Sequence, residues 1–305
     1  MIDSIGALIA AAKEKGRSRV AVAAAQDEAA LEAVMAAREG GLAEPILIGD
    51  EASIRSLAGK LGLDLAGIRV VHESDPAQAA ARAIALIRSG EADVLMKGMI
   101  DTSVLLKAAL DKVSGIGSGR LMSHVAVMEV PNHGKLLVVT DAAINIAPDL
   151  AAKIDIVANA VKVARALGVE RPKVAILAAV EKVNAEKMPC TADAAILTVM
   201  ARRGQIRDCA VDGPLALDVA VSAECARVKK LESEVAGDAD VLVAPDIEAG
   251  NILYKSLVDL GGAKAAGVVM GAAVPVVLTS RADSAETKLA SLALAALAGL
   301  AGERE

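Results

Sequence analysis

The chain has 305 residues, 54% of them hydrophobic and 24% charged, with a formal net charge of −6. This length predicts about two domains with buried cores, and the net charge argues against nucleic acid as a partner. No apolar run reaches the ~20 residues that cross a bilayer, and the N-terminus lacks the basic region of a signal peptide, so we expect a cytoplasmic protein with no membrane partner.

Thiols, imidazoles and aromatic rings are sparse. Three cysteines and three histidines occur without the spacing of a disulfide framework or a metal site, which predicts free buried thiols and no metal. The chain has no Phe or Trp and a single tyrosine, Tyr254. Aliphatic side chains must therefore fill the core, and binding of single strands by base stacking is nearly excluded. Removal of aromatic residues by engineering is one hypothesis for this composition.

Apolar, β-branched runs alternate with helical patterns along the chain. Strands are predicted at 19–24, 45–48, 69–71, 93–96, 124–130, 135–139, 173–178, 240–244, 267–270 and 274–278. Helices are predicted at 27–39, 51–61, 76–89, 102–110, 150–167, 191–203 and 250–260, with a helical tail after 280. This alternation predicts an α/β fold with a mostly parallel sheet between helices.

One pair of strands breaks the alternation. The runs at 124–130 and 135–139 are joined by Pro-Asn-His-Gly, which predicts an antiparallel hairpin. A domain boundary is most plausible just after it, near residues 140–148. In open α/β sheets, ligands bind outside the carboxyl ends of the strands, so the polar residues that follow the other strands are the candidates for a site.

The first such segment, 96–103, follows the strand at 93–96. A glycine in it permits a tight turn, and Asp101 or Thr102 can cap the next helix. Free N–H groups at that helix start, together with a lysine, would bind an anion. Lys97, Thr102, Ser103 and Lys107 are therefore candidate ligand-binding residues. An ordinary strand–turn–helix connection with a solvated lysine is the commoner explanation of such a pattern.

A second segment, 115–124, contains three glycines before Arg120. Glycines allow close approach of the backbone to a phosphate, and an arginine can clamp it. The spacing matches neither a Walker motif nor the dinucleotide-binding fingerprint. A flexible surface loop is an equally good explanation.

Three further segments follow predicted strands or turns. Asp141 and Asn145 offer a carboxylate and an amide at a strand end, where a capped turn is the alternative. Asp246 and Asn251 flank a predicted helix start that also carries the only tyrosine. The segment 211–214, Val-Asp-Gly-Pro, is predicted to be a structural turn.

The segment 274–284 combines a buried strand with a hydroxyl, a guanidinium and a carboxylate directly after it. Ser280, Arg281 and Asp283 can donate hydrogen bonds, clamp an anion and accept a proton. A helix N-cap by Ser280 or Asp283, with a solvated arginine, is the alternative.

Taken together, five motifs in this order resemble the phosphate acetyl/butyryltransferase family. They are Met-Lys-Gly at 96–98 with Asp-Thr-Ser at 101–103, Asp-Ala-Ala-Ile-Asn at 141–145, Val-Asp-Gly-Pro at 211–214, Pro-Asp-Ile-Glu-Ala-Gly-Asn at 245–251 and Thr-Ser-Arg-Ala-Asp-Ser at 279–284. The resemblance runs from about residue 19 to the tail. The first two motifs resemble the butyryltransferase branch more than the acetyltransferase branch.

The resemblance implies two α/β domains of the isocitrate/isopropylmalate dehydrogenase type with an active site in the cleft between them. The first would comprise 1–140 and 282–305, and the second 141–281. It also implies a homo-oligomer, a dimer or larger. The implied reaction is acyl-CoA plus phosphate giving acyl phosphate plus CoA, with a butyryl group, with coenzyme A as a substrate, and without a metal or a permanently bound cofactor.

The resemblance also implies roles for individual residues. Ser280 and Arg281 match a catalytic pair of the acetyltransferases, in which a carboxylate further along acts as base toward the CoA thiol. The position matching that carboxylate holds Thr287, so Asp283 is our first choice for the base and Glu286 the second. The residues expected to bind substrate are Lys97, Thr102, Ser103, Lys107, Arg120, Asp141, Asn145, Asp246 and Asn251.

Three alternatives stay open at this point. The chain could be a phosphate acetyltransferase, because a methylene group contributes only ~1–3 kcal/mol to discrimination. It could bind coenzyme A or phosphate without catalysis, since a fold does not dictate a function. It could also be an engineered, aromatic-poor variant that has lost activity.

Overall fold

The computed structural model describes residues 1–278 and 283–300. The strands are β1 (Ser18–Ala23), β2 (Ala43–Gly49), β3 (Arg69–His72), β4 (Val94–Lys97), β5 (Ser123–Glu129), β6 (Leu137–Thr140), β7 (Lys173–Leu177), β8 (Ala210–Leu215), β9 (Val241–Val243), β10 (Lys264–Met270) and β11 (Val276–Val277). The helices are α1 (Ile5–Glu14), α2 (Glu28–Glu39), α3 (Glu51–Leu61), α4 (Pro76–Arg88), α5 (Thr102–Ala109), α6 (Leu150–Ala166), α7 (Cys190–Arg202), α8 (Leu217–Val221), α9 (Ala223–Val228), α10 (Ile247–Lys255) and α11 (Ala285–Leu300), and a π-helical turn (Ser256–Leu260) continues α10.

The chain divides into two compact units. The first unit comprises Ile5–Arg120 and Ala266–Glu305, and the second comprises Met1–Ser4 and Leu121–Ala265. The divisions therefore fall near residues 120 and 265, whereas the sequence suggested 140 and 281. The β5–β6 hairpin packs with the strands that follow it in the chain, which is why the division comes before the hairpin.

The strands of the first unit lie in the order β3-β2-β1-β4-β11-β10. All neighbouring pairs are parallel except β10 with β11. Aspartates cap the helices that follow the strands: Asp27, Asp50 and Asp75 each accept a hydrogen bond from a backbone N–H three residues on. Such caps fix where each helix begins, and so they fix the turns at the carboxyl ends of β1, β2 and β3.

The strands of the second unit lie in the order β5-β6-β9-β7-β8, with β5 antiparallel to β6 and the others parallel. Its core is aliphatic, as the lack of Phe and Trp requires. Met128, Leu137, Leu215 and Leu242 are all at least 96% buried there, and Tyr254 packs against this cluster.

The α/β class, the mostly parallel sheet arrangement and the hairpin are confirmed. One prediction was wrong: the segment 211–214 is not a turn but part of β8. Because β8 is an edge strand, the missing N–H of Pro214 costs no hydrogen bond on the open side. A register shift between Ala175 and Leu177 of β7 accommodates it. Helices α1, α8 and α9 were not predicted. Among the described residues, no helix has the length and apolar character needed to cross a membrane.

Candidate active site

Lys97 ends β4 and is 8% exposed. Its ammonium donates to the carbonyls of Gly98 and Ile100, at 3.2 and 3.0 Å. A Cβ on Gly98 would overlap the carbonyl oxygen of Ala24, so only glycine allows β4 and the end of β1 to lie this close. The lysine therefore shapes the turn between β4 and α5 as well as bringing a positive charge to it.

Thr102 and Ser103 open α5, and both are exposed. Asp101 is at the N-cap position, but its side chain makes no capping hydrogen bond. The N–H groups of the first turn thus receive no acceptor from that carboxylate, which suits an anion-binding helix start. Lys107 is exposed in the next turn. This group of polar residues lies where the sequence predicted it.

The pairing of β11 with β4 sets where the Ser-Arg segment begins. Val277 lies opposite Met96 in a parallel register. Leu278 directly follows β11 in the chain, and Lys97 is the last residue of β4. The chain that leaves β11 therefore starts level with Lys97, at the carboxyl end of β4. Residues 279–282, including the predicted catalytic residues Ser280 and Arg281, lie outside the described residues.

The start of α11 is tied together by several hydrogen bonds. Ser284 caps the helix, its Oγ accepting from the N–H of Thr287 at 3.1 Å and lying 3.1 Å from the hydroxyl of Thr287. The ammonium of Lys288 donates to the carbonyl of Asp283 at 2.7 Å. Glu286 is exposed in the first helical turn. Thr287 thus serves the helix cap, and the two carboxylates remain the candidates for a base.

The glycine-rich loop lies at the opposite end of the strands of the first unit's sheet. Ala273, just before β11, donates its N–H to the carbonyl of Ile116 at 2.8 Å. Ser118 donates its hydroxyl to the carbonyl of Gly271 at 2.6 Å. These contacts place the loop where β4 and β11 begin, whereas Lys97 lies where β4 ends. The structure does not bring the loop to Lys97.

Arg120 is exposed at the end of this loop. It directly precedes Leu121, whose N–H donates to Asp155 Oδ2 at 3.0 Å. The carbonyl of Met122, the next residue, accepts from Asn145 Nδ2 at 2.9 Å. These hydrogen bonds hold the residues that directly follow Arg120 in the chain.

Asp141 directly follows β6 and is 3% exposed. Its Oδ1 accepts from the N–H groups of Ala143 and Ile144 at 2.9 and 3.1 Å. Its Oδ2 accepts from the N–H and the side-chain amide of Asn145 at 3.2 and 2.6 Å. All four hydrogen bonds are internal to the turn, so the carboxylate shapes the turn rather than presenting its oxygens to a ligand.

Helix α10 is attached to the same turn. Asn251 donates from Nδ2 to the carbonyl of Ala142 at 3.0 Å, and a Cβ on Gly250 would overlap the carbonyl oxygen of Asp141. Asp246 caps this helix through Oδ1. The second unit therefore brings together four of the predicted residues, Asp141, Asn145, Asp246 and Asn251, at the carboxyl ends of β6 and β9.

Sequence reasoning missed an ion pair between a buried lysine and a partly exposed aspartate in the same unit. Lys153 in α6, with a side chain 4% exposed, donates to Asp193 Oδ2 in α7 at 2.7 Å. Cys190 lies within electrostatic range of both and of Asp246. Burial raises the pKa of its thiol, and Lys153 partly offsets this. No motif could have shown this pair, because 40 residues separate the partners.

Metal-binding residues are not grouped in the part of the chain that the structure describes. No cluster of three or more His, Cys, Asp or Glu side chains there has the geometry to hold an ion. At the carboxyl ends of the strands in each unit, the groups available for chemistry are ammonium groups, helix N-termini, amides and carboxylates.

Polar groups at the carboxyl ends of parallel strands are the arrangement by which α/β enzymes bind small anionic substrates. The family model described as phosphate acetyl/butaryl transferase matches residues 4–82 and 73–296. The chain belongs to this family.

Individual relatives agree with that assignment. The chain is 50% identical over 297 residues to the phosphate butyryltransferase of Clostridium acetobutylicum, covering 97% of this chain and 98% of that protein. It is 50% identical over 290 residues to the phosphate acetyltransferase of Rhizobium meliloti, covering 95% and 92%. The crystal structure of a branched-chain phosphotransacylase from Enterococcus faecalis V583 superposes with a TM-score of 0.80 at 38% identity, covering 92% and 99% of the two chains.

Proposed function

We propose that this protein transfers a short-chain acyl group, butyryl by preference, between coenzyme A and inorganic phosphate. The observation that carries the proposal is similarity over nearly the full chain to enzymes named for this reaction. The register of β11 supports it, since Val277 pairs with Met96, the residue before the buried lysine at the end of β4.

In the direction of acyl phosphate to CoA, a carboxylate takes the proton of the CoA thiol. A free thiol has a pKa of about 8.5, so little thiolate exists at neutral pH without such a base. The sulfur then attacks the acyl carbon and the carbonyl π electrons move to oxygen. The oxyanion electrons re-form the carbonyl as the bond from the acyl carbon to the phosphate oxygen breaks. Phosphate leaves with that electron pair, and a thioester remains.

Each proposed role follows from the chemistry of the side chain. Ser280 and nearby N–H groups stabilise the oxyanion, an effect of about 3 kcal/mol per donor. Arg281 holds the phosphoryl group in a bidentate manner, which a lysine would do less well. Asp283 is the first choice for the base and Glu286 the second. Much of the rate enhancement comes from holding thiol and acyl phosphate together.

Different roles are proposed for the members of the substrate-binding set. Lys97, the α5 residues Thr102 and Ser103, and Lys107 suit the phosphate groups of the substrates. Arg120 is a further cation for coenzyme A. Asp141 and Asn145, with Asp246 and Asn251 beside them, act mainly by holding the backbone of the second unit's strand ends in shape.

The assay mixes the protein with butyryl-CoA and inorganic phosphate and follows the free thiol. Thiol must appear only when phosphate is present. A reaction without phosphate would mean thioester hydrolysis. No phosphate-dependent thiol from a protein whose circular dichroism shows it to be folded would reject the acyltransferase and favour a binding protein or an inactivated variant.

Phosphate acetyltransferase is the second candidate, favoured by the equal identity to the Rhizobium meliloti enzyme. Comparing kcat/KM for acetyl-CoA and butyryl-CoA separates the two, and we expect the butyryl substrate to be better by up to ~10²-fold.

The resemblance to the family also supports a fold of the isocitrate/isopropylmalate dehydrogenase type and a homo-oligomer, with coenzyme A as a substrate and no permanently bound cofactor. Sedimentation of the purified protein tests the oligomer, and a monomer at assay concentrations would contradict it.

A further inference from the structure

Lys288 has an unusual environment for a lysine. Lys288 is 2% exposed. Its ammonium donates to the main-chain carbonyl of Asp283 at 2.7 Å. In the described part of the chain, no carboxylate forms an ion pair with it. Burial of an ammonium against a neutral acceptor costs free energy that an apolar side chain of similar volume would not.

The helix itself does not require this lysine. Ser284 already caps α11 by accepting from the N–H of Thr287. Four residues further in, Ser291 Oγ donates to the carbonyl of Thr287 at 2.7 Å and accepts from the N–H of Gly267 at 2.9 Å. The start of α11 is thus fixed to the sheet by neutral groups alone.

What Lys288 does fix is the end of the connection between β11 and α11. Its backbone N–H donates to the carbonyl of Ser284 at 3.1 Å, and its ammonium holds the carbonyl of Asp283. At the other end, β11 is held against β4 by the pairing of Val277 with Met96. Lys288 therefore holds one of the two ends between which Ser280 and Arg281 lie in the sequence.

We propose that Lys288 is a positioning residue of the acyl-transfer site. By holding the carbonyl of Asp283 it fixes the main chain just before α11, and with it the place of the Asp283 carboxylate. This inference rests on the proposed function. It assigns a role to a residue outside the motifs that the sequence singled out.

The test compares Lys288→Met, Lys288→Gln and Lys288→Arg. Methionine fills the volume without a donor, whereas glutamine and arginine can both donate to the Asp283 carbonyl. We expect Lys288→Met to lower kcat on the order of 10²-fold, because displacement of reacting groups by about 1 Å has such effects. The KM for phosphate should change much less. Lys288→Gln and Lys288→Arg should recover at least a tenth of the wild-type kcat.

Ser291→Ala is the matched control, since it removes buried hydrogen bonds from the same helix without touching Asp283. It should lower the unfolding midpoint and keep kcat within twofold of the wild type, whereas Lys288→Met should change the midpoint much less. If Lys288→Met does not fold, folded Lys288→Gln takes over the test and must keep at least a tenth of the wild-type kcat.

Three results would overturn the inference while the wild type is active: a Lys288→Met enzyme within twofold of wild-type kcat, an equal loss in Ser291→Ala, or no recovery by either donor variant. A wild type without phosphate-dependent thiol release would instead overturn the proposed function, and this inference with it.

Discussion

Asn145 donates its side-chain amide to the carboxylate of Asp141 at 2.6 Å. The two polar residues that follow β6 therefore bind each other, and the same carboxylate also accepts three backbone N–H groups of its own turn. Residues that look like ligands in the sequence act here by giving the strand end a fixed shape.

Asp141→Asn should destabilise the protein. One carboxylate oxygen would become an amide that cannot accept, leaving buried N–H groups without a partner at a cost of about 2 kcal/mol or more. Urea denaturation of wild type and variant measures this. Asp149→Asn is the control, because Asp149 accepts a single exposed capping hydrogen bond. This substitution should lower the free energy of unfolding clearly less. Equal losses would contradict the special role of Asp141.

Ser280→Ala and Arg281→Gln should each lower kcat/KM by at least ~10²-fold, since each removes an interaction that strengthens in the transition state. Arg281→Lys should recover only part of the loss, because an ammonium cannot bind a phosphoryl group in the bidentate manner of a guanidinium. Steady-state kinetics with butyryl-CoA and phosphate give the values. Near-normal activity in either of the first two variants would reject the proposed role.

The base can be identified by a paired comparison. Asp283→Asn should lower the rate from butyryl phosphate to CoA by about 10²-fold or more, and Glu286→Gln should have a smaller effect. Far-ultraviolet circular dichroism checks that α11 is intact in both. The reverse order would assign the base to Glu286, and two active variants would exclude both carboxylates.

Gly98→Ala should impair both folding and activity. The added Cβ would overlap the carbonyl oxygen of Ala24, and the backbone shift that relieves it costs about 1–3 kcal/mol. The matched control is Gly59→Ala in α3, where the new methyl group meets no atom within 4 Å. In this variant the free energy of unfolding should increase by about 0.5–1 kcal/mol, because alanine has a higher helix propensity than glycine. Thermal unfolding curves of the two variants should move in opposite directions.

The ion pair of Arg19 and Asp93 predicts a pH-dependent contribution to stability. Partial burial raises the pKa of Asp93, but the hydrogen bonds and charge of Arg19 outweigh this and hold the pKa below its ordinary value. The contribution is therefore fully present above the unfolded pKa of about 3.9 and is lost as pH falls through the lower folded value. Both side chains are 43% exposed, so solvent screening limits it to ~1 kcal/mol.

Asp93→Asn measures that contribution directly. The difference in free energy of unfolding between wild type and variant should be largest near pH 7 and vanish at strongly acid pH. In an Arg19→Met background the substitution should have little effect at either pH, which isolates the pair. A difference that grows toward acid pH would contradict the assignment.

The sequence by itself determined much of the fold, because helix and strand periodicity, aspartate caps and the Pro-Asn-His-Gly turn are local signals. Those signals located β1 to β7, β9 to β11, α2 to α7, α10, α11 and the hairpin. They failed at β8, where an Asp-Gly-Pro turn signal was overridden by the open edge of a sheet. They also failed at α1, α8 and α9.

The candidate site divides in the same way. Motifs at strand ends are visible in the sequence because a strand, a turn and a cap are adjacent in the chain, so Lys97, Asp141 and Asp246 could be named in advance. Only the tertiary structure showed that the Asp141 carboxylate accepts hydrogen bonds from its own turn and that the glycine-rich loop lies away from Lys97. The tertiary structure alone showed the ion pair of Lys153 with Asp193 and the hydrogen bond from the buried Lys288 to the Asp283 carbonyl. Those relationships depend on which strands and helices become neighbours, and burial and long-range pairing are properties of the packed chain that no local pattern encodes.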